Sequence, residues 1–312
     1  MSGAEITITC LGSGGAIPPN GRYHSSIAVR HQNGLILLDC GEGTQFNLRK
    51  YQISIRKEFV IWISHLHSDH FLGVPGLIAS LELLDRKEDI HIIGPYGVKN
   101  TIAKLLEANF VSTTFNVVYT ELKTNDEFMG NGYTLETIKA LHDGNAMSLI
   151  IKENDVKGKI NLEKMEKLGL EPGPEISKLQ LGEKIIVNGK VIMPSDVIDN
   201  KRRGRRIFYS GDTMYNELLV DKIGDCDLFI HEGTYPNELE DIAIERQHST
   251  ISQAASLASK IKPKKLLVTH FSSRIVDFER EHKIAKNIFE QTYLAYEGLE
   301  IKLPYLYHKD KN

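Results

Sequence analysis

The segment His65-Leu66-His67-Ser68-Asp69-His70 places three imidazoles and a carboxylate within six residues, directly after the apolar run Phe59, Val60, Ile61, Trp62, Ile63. Such a run predicts a buried strand over 59–64, which delivers the polar side chains at its C-terminal end. Imidazole nitrogen and carboxylate oxygen are donors that suit zinc. Four of them fixed on one strand-to-loop corner cannot all point at a single tetrahedral ion, so two metals are the economical reading. A corner of this kind still needs ligands from elsewhere in the chain.

Those ligands are expected where other apolar strands end, because a side chain there can project into a shared cleft without disturbing the core. His142 follows Thr137 to Leu141, Asp212 follows Ile207 to Gly211, and His270 follows Leu266 to Thr269. The seven candidates divide into His65, His67 and His142 for one ion and Asp69, His70 and His270 for the other, with Asp212 as bridge. A carboxylate between two dications offsets their repulsion and fixes their separation near the roughly 3.5–4 Å of two-metal hydrolytic sites. Water held in that field ionises near neutral pH, as zinc-bound water does with a pKa of about 7. The chemistry implied is hydrolysis, with hydroxide as nucleophile and no covalent enzyme intermediate.

Around these positions the chain alternates strand-like and helical patterns. Strands are expected at Ile6 to Leu11, Ser26 to Arg30 and Leu35 to Asp39, with a glycine-rich loop, Gly12 to Gly21, after the first. That loop lacks the spacing of a phosphate-binding P-loop or a dinucleotide turn. Helices are expected over Gln45 to Lys50, Gly73 to Leu84 and Val98 to Ala108, the second with Leu77, Ile78, Leu81 and Leu84 on one face. Further strands follow at His91 to Ile93, Thr114 to Leu122, Thr134 to Ala140 and Met147 to Lys152. After residue 204, strands at Arg206 to Ser210 and Leu228 to His231 flank a helix, then come a helix over Thr250 to Lys260 and a strand over Lys265 to Thr269. Two such successions predict a layered α/β body with a site along one sheet edge.

The stretch 153–204 breaks the pattern, with Pro172-Gly173-Pro174 and a lysine-rich helical segment over Leu162 to Leu168, and reads as an inserted arm. The 312-residue chain carries a formal charge of −3, which excludes generic adhesion to nucleic acid. The charge is uneven: residues 152–206 hold 13 basic and 9 acidic side chains, the rest 25 and 32. A basic insert on an acidic body can meet phosphates locally, and the run Lys201, Arg202, Arg203, Arg205, Arg206 sharpens that patch. With no signal segment and no apolar run of about 18 residues, the protein is expected to be cytoplasmic and without membrane attachment. Cys10, Cys40 and Cys226 read as buried thiols of a reducing compartment rather than a disulfide framework.

The pattern H-x-H-x-D-H, with a later His, the Asp of Gly211-Asp212-Thr213 and the His of Thr269-His270-Phe271, resembles the metallo-β-lactamase superfamily. Leu38-Asp39-Cys40-Gly41-Glu42-Gly43-Thr44-Gln45, His231-Glu232-Gly233-Thr234 and His248-Ser249-Thr250 resemble the ribonuclease Z family within it, as does the insert with Gly173-Pro174, Lys178-Leu179 and Gly182. The resemblance implies a four-layer αββα sandwich, 1–312 as a single domain with 153–204 as a flexible arm, and two zinc ions per chain, with manganese or another divalent metal an alternative. It implies an endoribonuclease that removes the 3′ trailer of precursor tRNA and leaves a 3′-hydroxyl, acting as a homodimer; no protein partner is evident.

It further implies Asp69 as general base or water-orienting group, besides its place as ligand. His248, backed by Glu232, would protonate the departing oxygen, since a neighbouring carboxylate raises the population of imidazolium. His231 reads as structural. Substrate contacts are implied for Pro18, Arg22 and Thr213 near the site and for Gly173, Pro174 and Lys178 on the arm. The chain departs from the family at Ser177-Lys178-Leu179-Gln180-Leu181, at Asn20 and at Tyr23. A small-molecule phosphodiesterase or thioesterase on the same fold is the alternative among hydrolases, and a non-catalytic RNA-binding subunit the alternative outside them. The arm and His248 argue against the first, the complete ligand set against the second.

Overall fold

The computed structural model describes residues 5–32, 34–55, 58–155, 158, 160–199 and 203–304. Six of the seven strands of a first sheet come early in the chain: β1 (Ile6–Gly12), β2 (Ser26–His31), β3 (Gly34–Leu38), β4 (Glu58–Trp62), β5 (Ile90–Pro95) and β6 (Val117–Leu122). A second begins with β7 (Glu127–Met129), β8 (Tyr133–Lys139) and β9 (Met147–Glu153). The hairpin β10 (Ile185–Val187) and β11 (Lys190–Ile192) intervenes. Then β12 (Arg206–Tyr209), β13 (Leu228–Glu232), β14 (Lys265–Thr269) and β15 (Thr292–Leu294) complete the second sheet, while β16 (Glu300–Leu303) returns to pair antiparallel with β1.

Alternation along the strands explains the layering. Ile36, Leu38, Val60 and Trp62 join one apolar cluster with the second-sheet residues Leu149, Ile151, Ile207 and Phe229. Their neighbours Leu35, Leu37, Phe59 and Ile61 face the other way and pack with Leu77 and Ile78 of helix Val74–Leu83 and Ile102 of helix Val98–Ala108. Side chains with a period of two therefore bury both faces of the first sheet, which is why β3 and β4 are continuous apolar runs. Ala254, Leu257 and Ala258 of helix Ile251–Ile261 and Ala285 of helix Phe278–Ile288 cover the second sheet. The result is the four-layer αββα sandwich.

The strands that matter for the site run in the same sense within each sheet: β3, β4 and β5 are parallel, as are β12, β13 and β14. Their C-terminal ends emerge together, the position where open α/β sheets bind ligands. Several elements depart from the sequence reading. Helix Phe278–Ile288 and strands β15 and β16 lie in a stretch where the sequence pattern predicts no element, and β7 is a three-residue edge strand. The expected strand at Thr114 starts only at Val117, and the helix expected from Thr250 starts at Ile251 because Thr250 is its N-cap, its Oγ1 accepting the Gln253 amide at 3.2 Å.

Residues 153–205 form a compact unit distinct from 1–152 with 206–312. Met165, Leu170, Ile176, Leu179, Ile185, Ile192 and Val197 give it a small core of its own. Its two ends are closed by a bidentate pair: Arg205 Nε and Nη2 donate to Glu153 Oε2 and Oε1 at 2.7 and 2.6 Å. This corrects the reading of the basic run, since a guanidinium 8% exposed and bound to a carboxylate is no phosphate contact. Lys201 and Arg202 of that run lie outside the described residues. Among the described residues no helix is long and apolar enough to cross a membrane. All three cysteines are buried thiols; burial pushes Cys10 up, and Cys40 up to about 12.

Candidate metal centre

His65, His67, Asp69 and His70 follow β4 on a corner that tightens into a 3₁₀ turn, Ser68–His70. His142 lies three residues past β8, Asp212 three past β12, and His270 directly follows β14. The fold brings all seven together. One donor atom from each of His65, His67, His142 and Asp212 lies within 4.8 Å of the others, and the same holds for Asp69, His70 and His270. Asp212 reaches both groups: Oδ2 is 3.6 Å from His65 Nε2 and 3.3 Å from His70 Nε2, while Oδ1 is 3.3 Å from His270 Nε2.

The atoms themselves test whether a cation fits. His65 Nε2 and Asp212 Oδ1 are buried without a hydrogen-bond partner among the described residues. His70 Nε2 faces His270 Nε2 at 3.2 Å, and His142 Nε2 faces His67 Nδ1 at 3.2 Å. Facing nitrogen lone pairs repel unless positive charge lies between them, and orphaned buried acceptors are costly. A divalent ion resolves both conflicts. Electrostatics agree: burial and then the neighbouring His70 push His65 well down, towards the neutral imidazole that ligates metal. Burial works against charge on His70 too, but Asp212, Asp39 and Asp69 outweigh it and call for positive charge there. Burial likewise opposes ionisation of Asp69 and Asp212, and the imidazoles around them win, holding both below the usual carboxylate range.

One residue behind the ligands was not singled out in the sequence. Asp39, fully buried at the end of β3, accepts His70 Nδ1 at 2.6 Å, Ser64 Oγ at 2.8 Å and the Tyr209 hydroxyl at 2.6 Å on Oδ2, and the Ser64 amide on Oδ1. This fixes the His70 proton on Nδ1 and turns Nε2 to the site. Ser64 Oγ also sits 3.1 Å from His65 Nδ1, so the same carboxylate steadies a histidine of each group. Its signal was available: Asp39, like Asp212, is an acid just beyond an apolar strand. Asp39 and His270 both adopt left-handed backbone, with φ of 56° and 63°, a strain of about 1–3 kcal/mol each that side chains at functional sites sustain.

His248 Nδ1 is 2.8 Å from Glu232 Oε1. Glu232 is fully buried at the end of β13, and the amides of Thr213, Thr234 and Ser249 also donate to it. Burial opposes charge on His248, but the Glu232 carboxylate outweighs it and the imidazole is pushed up to about 9. His231 is buried, its Nδ1 2.7 Å from the Glu232 carbonyl, away from both ligand groups.

The expected substrate contacts fare differently. Pro18 is half-buried against Gly14. Arg22 Nη1 donates to Ser13 Oγ and the Ala295 carbonyl, and its guanidinium lies 4.2 Å from the Phe278 ring centroid, so it braces the glycine-rich loop. Thr213 is buried, and Oγ1 accepts the Leu141 amide at 3.0 Å, which makes it a support for the His142 loop. Gly173, Pro174 and Lys178 are exposed on the 153–205 unit, where Gly173 precedes helix Pro174–Gln180.

A family model described as beta-lactamase superfamily domain matches residues 195–271, and one described as anti-Pycsar protein Apyc1 matches residues 6–158. A ribonuclease Z of Methanosarcina acetivorans is 36% identical over 301 residues, covering 96% of this chain and 99% of the relative. The chain belongs to the ribonuclease Z family. A second ribonuclease Z, from Picrophilus torridus, is 37% identical over 300 residues, covering 96% of each chain. The ribonuclease Z likeness extends to solved structures: human tRNase Z, short form, superposes with a TM-score of 0.67 at 24% identity, over 96% of this chain and 100% of that one, and supports the fold.

Proposed function

We propose that the chain is a two-zinc endoribonuclease that removes the 3′ trailer from precursor tRNA and leaves a 3′-hydroxyl on the tRNA. Family membership supports the substrate, and the observation that carries the chemistry is the His248–Glu232 pair, 2.8 Å apart beside the two ligand groups. His65, His67 and His142 would hold one ion and Asp69, His70 and His270 the other, with Asp212 reaching both. Bound there, such a pair supplies Lewis acidity and a water ionised near neutral pH.

The chain's own groups do the rest. Asp69, kept ionised by His70 and His270, orients the attacking water by accepting its proton in a hydrogen bond. His248, its Nδ1 anchored on Glu232, presents Nε2 as the donor to the departing 3′-oxygen. The exposed Gly173, Pro174 and Lys178 of the 153–205 arm meet phosphates of the tRNA, contacts that position a substrate without reading its sequence. In this reading the chain works as a homodimer in the cytoplasm.

The test is cleavage of a precursor tRNA carrying a 3′ trailer, comparing the zinc-loaded chain with Asp69→Ala and His248→Ala. Trailer release by the intact chain and its loss in both variants is expected. Hydrolysis of a generic phosphodiester with the trailer left uncut would instead favour a small-molecule phosphodiesterase.

A further inference from the structure

Thr234 occupies the only tie, among the hydrogen bonds of the described residues, that runs directly between the Glu232–His248 pair and a candidate metal ligand. It is 5% exposed. Its Oγ1 donates to Glu232 Oε2 at 2.6 Å and lies 2.9 Å from His270 Nδ1. A hydroxyl has one proton and two lone pairs. With that proton given to the carboxylate, Oγ1 has only acceptor capacity left for His270, so the His270 proton must sit on Nδ1. Its Nε2 is then a bare lone pair, facing Asp69 Oδ2, His70 Nε2 and Asp212 Oδ1 at 3.3, 3.2 and 3.3 Å.

We propose that Thr234 is a positioning residue that sets the tautomer of His270 and ties the metal affinity of that ligand to the charge on Glu232. Were Glu232 to stop accepting, the hydroxyl would be free to turn its proton towards His270 and to favour the tautomer that points an N–H into the site. The inference rests on the two-metal reading above and concerns a residue whose hydroxyl acts through Glu232 and His270.

Zinc binding by the full chain, measured by competition with a chromophoric chelator, tests it. Thr234→Val, equal in shape but without the hydroxyl, is expected to weaken one of two zinc equivalents about 10–100-fold, the range for loss of a group that orients a ligand. Thr234→Ser is expected to restore it. Glu232→Gln is expected to weaken the same equivalent in the wild-type background and to add nothing in Thr234→Val, the non-additivity of a coupled pair. In the wild-type chain, 15N spectra of the His270 ring should show the proton on Nδ1 with zinc bound, which keeps the question answerable if Thr234→Val does not fold.

Two zinc equivalents both as tight in Thr234→Val as in the wild type, additive effects with Glu232→Gln, a Thr234→Ser variant as weak as Thr234→Val, or the opposite tautomer in the wild type would each overturn the role of Thr234 and leave the two-metal reading standing. A wild-type chain that binds no zinc would overturn both.

Discussion

His70 Nδ1 stands 2.6 Å from Asp39 Oδ2, inside a core where both side chains are fully buried. Because the same carboxylate also accepts the Ser64 hydroxyl, the Ser64 amide and the Tyr209 hydroxyl, Asp39→Ala removes the acceptor of four buried groups at once. Loss of each unsatisfied group costs about 1–3 kcal/mol. The metal-free variant is therefore expected to melt well below the wild type, and its zinc affinity to fall about 10–100-fold. Thermal unfolding with and without metal, alongside chelator competition, checks both. A normal Tm together with normal affinity would mean that Asp39 does not organise the ligands.

The His248–Glu232 pair gives a pH dependence with a definite sign. The imidazole is raised from its ordinary 6.5 to about 9, with burial opposing and Glu232 outweighing it. A raised histidine contributes stability in full below 6.5 and loses it as pH climbs through about 9. As the acid for the departing oxygen it should follow the same course, so kcat/KM for trailer cleavage is expected to hold from neutrality and fall above about pH 9. Glu232→Gln removes the charge that sustains the imidazolium and should move that alkaline limb to lower pH. A limb that stays in place in Glu232→Gln would assign it to another group.

The bidentate Glu153–Arg205 pair closes the arm at its base, both side chains 8% exposed. Breaking a buried pair by removing one partner costs about 3–5 kcal/mol. Arg205→Ala is therefore expected to loosen the 153–205 unit, raising amide exchange across Met165, Leu179 and Val197, while β3, β4 and β14 keep their protection. If the arm serves the tRNA alone, KM for precursor tRNA should rise with hydrolysis of a small phosphodiester unchanged. Equal loss on both substrates would remove the clamp role.

How far the sequence could be read follows from what each residue depends on. That these seven side chains would converge was legible because His65 to His70 are local and because His142, Asp212 and His270 each follow an apolar strand that periodicity reveals. Helix Val98–Ala108 and strand Lys265–Thr269 were legible to the residue, each being bounded by turn chemistry and filled by one apolar period. Asp39 was visible as a residue but not as a support, since its three partners lie 25, 31 and 170 positions away. Arg205 misled for a related reason: a guanidinium in a loop looks available until tertiary structure shows Glu153 already holding it, and the Ser13 and Phe278 contacts of Arg22 lay equally beyond the sequence. Helix Phe278–Ile288 went unassigned because its polar composition hides the few apolar positions, such as Ala285, that anchor it.

Gly15 offers the last test, because its backbone closes on the His270 ring. The Gly15 amide donates to the Phe271 carbonyl at 3.0 Å, which seats the glycine-rich loop directly on the ligand ring. A Cβ there would come 2.8 Å from His270 Cε1, closer than real contacts allow, and 3.2 Å from Nε2, tighter than most. Either the loop lifts or the ring turns, and the ring is held at Nδ1 by Thr234. Overpacking of this kind costs about 1–3 kcal/mol, equivalent to about 5- to 150-fold in affinity. Gly15→Ala is accordingly expected to weaken one zinc equivalent by that factor and leave the other unchanged, because the three atoms nearest that Cβ all belong to His270. Zinc titration against a chelator resolves the two equivalents; equal weakening of both, or of neither, would show that the loop does not seat His270.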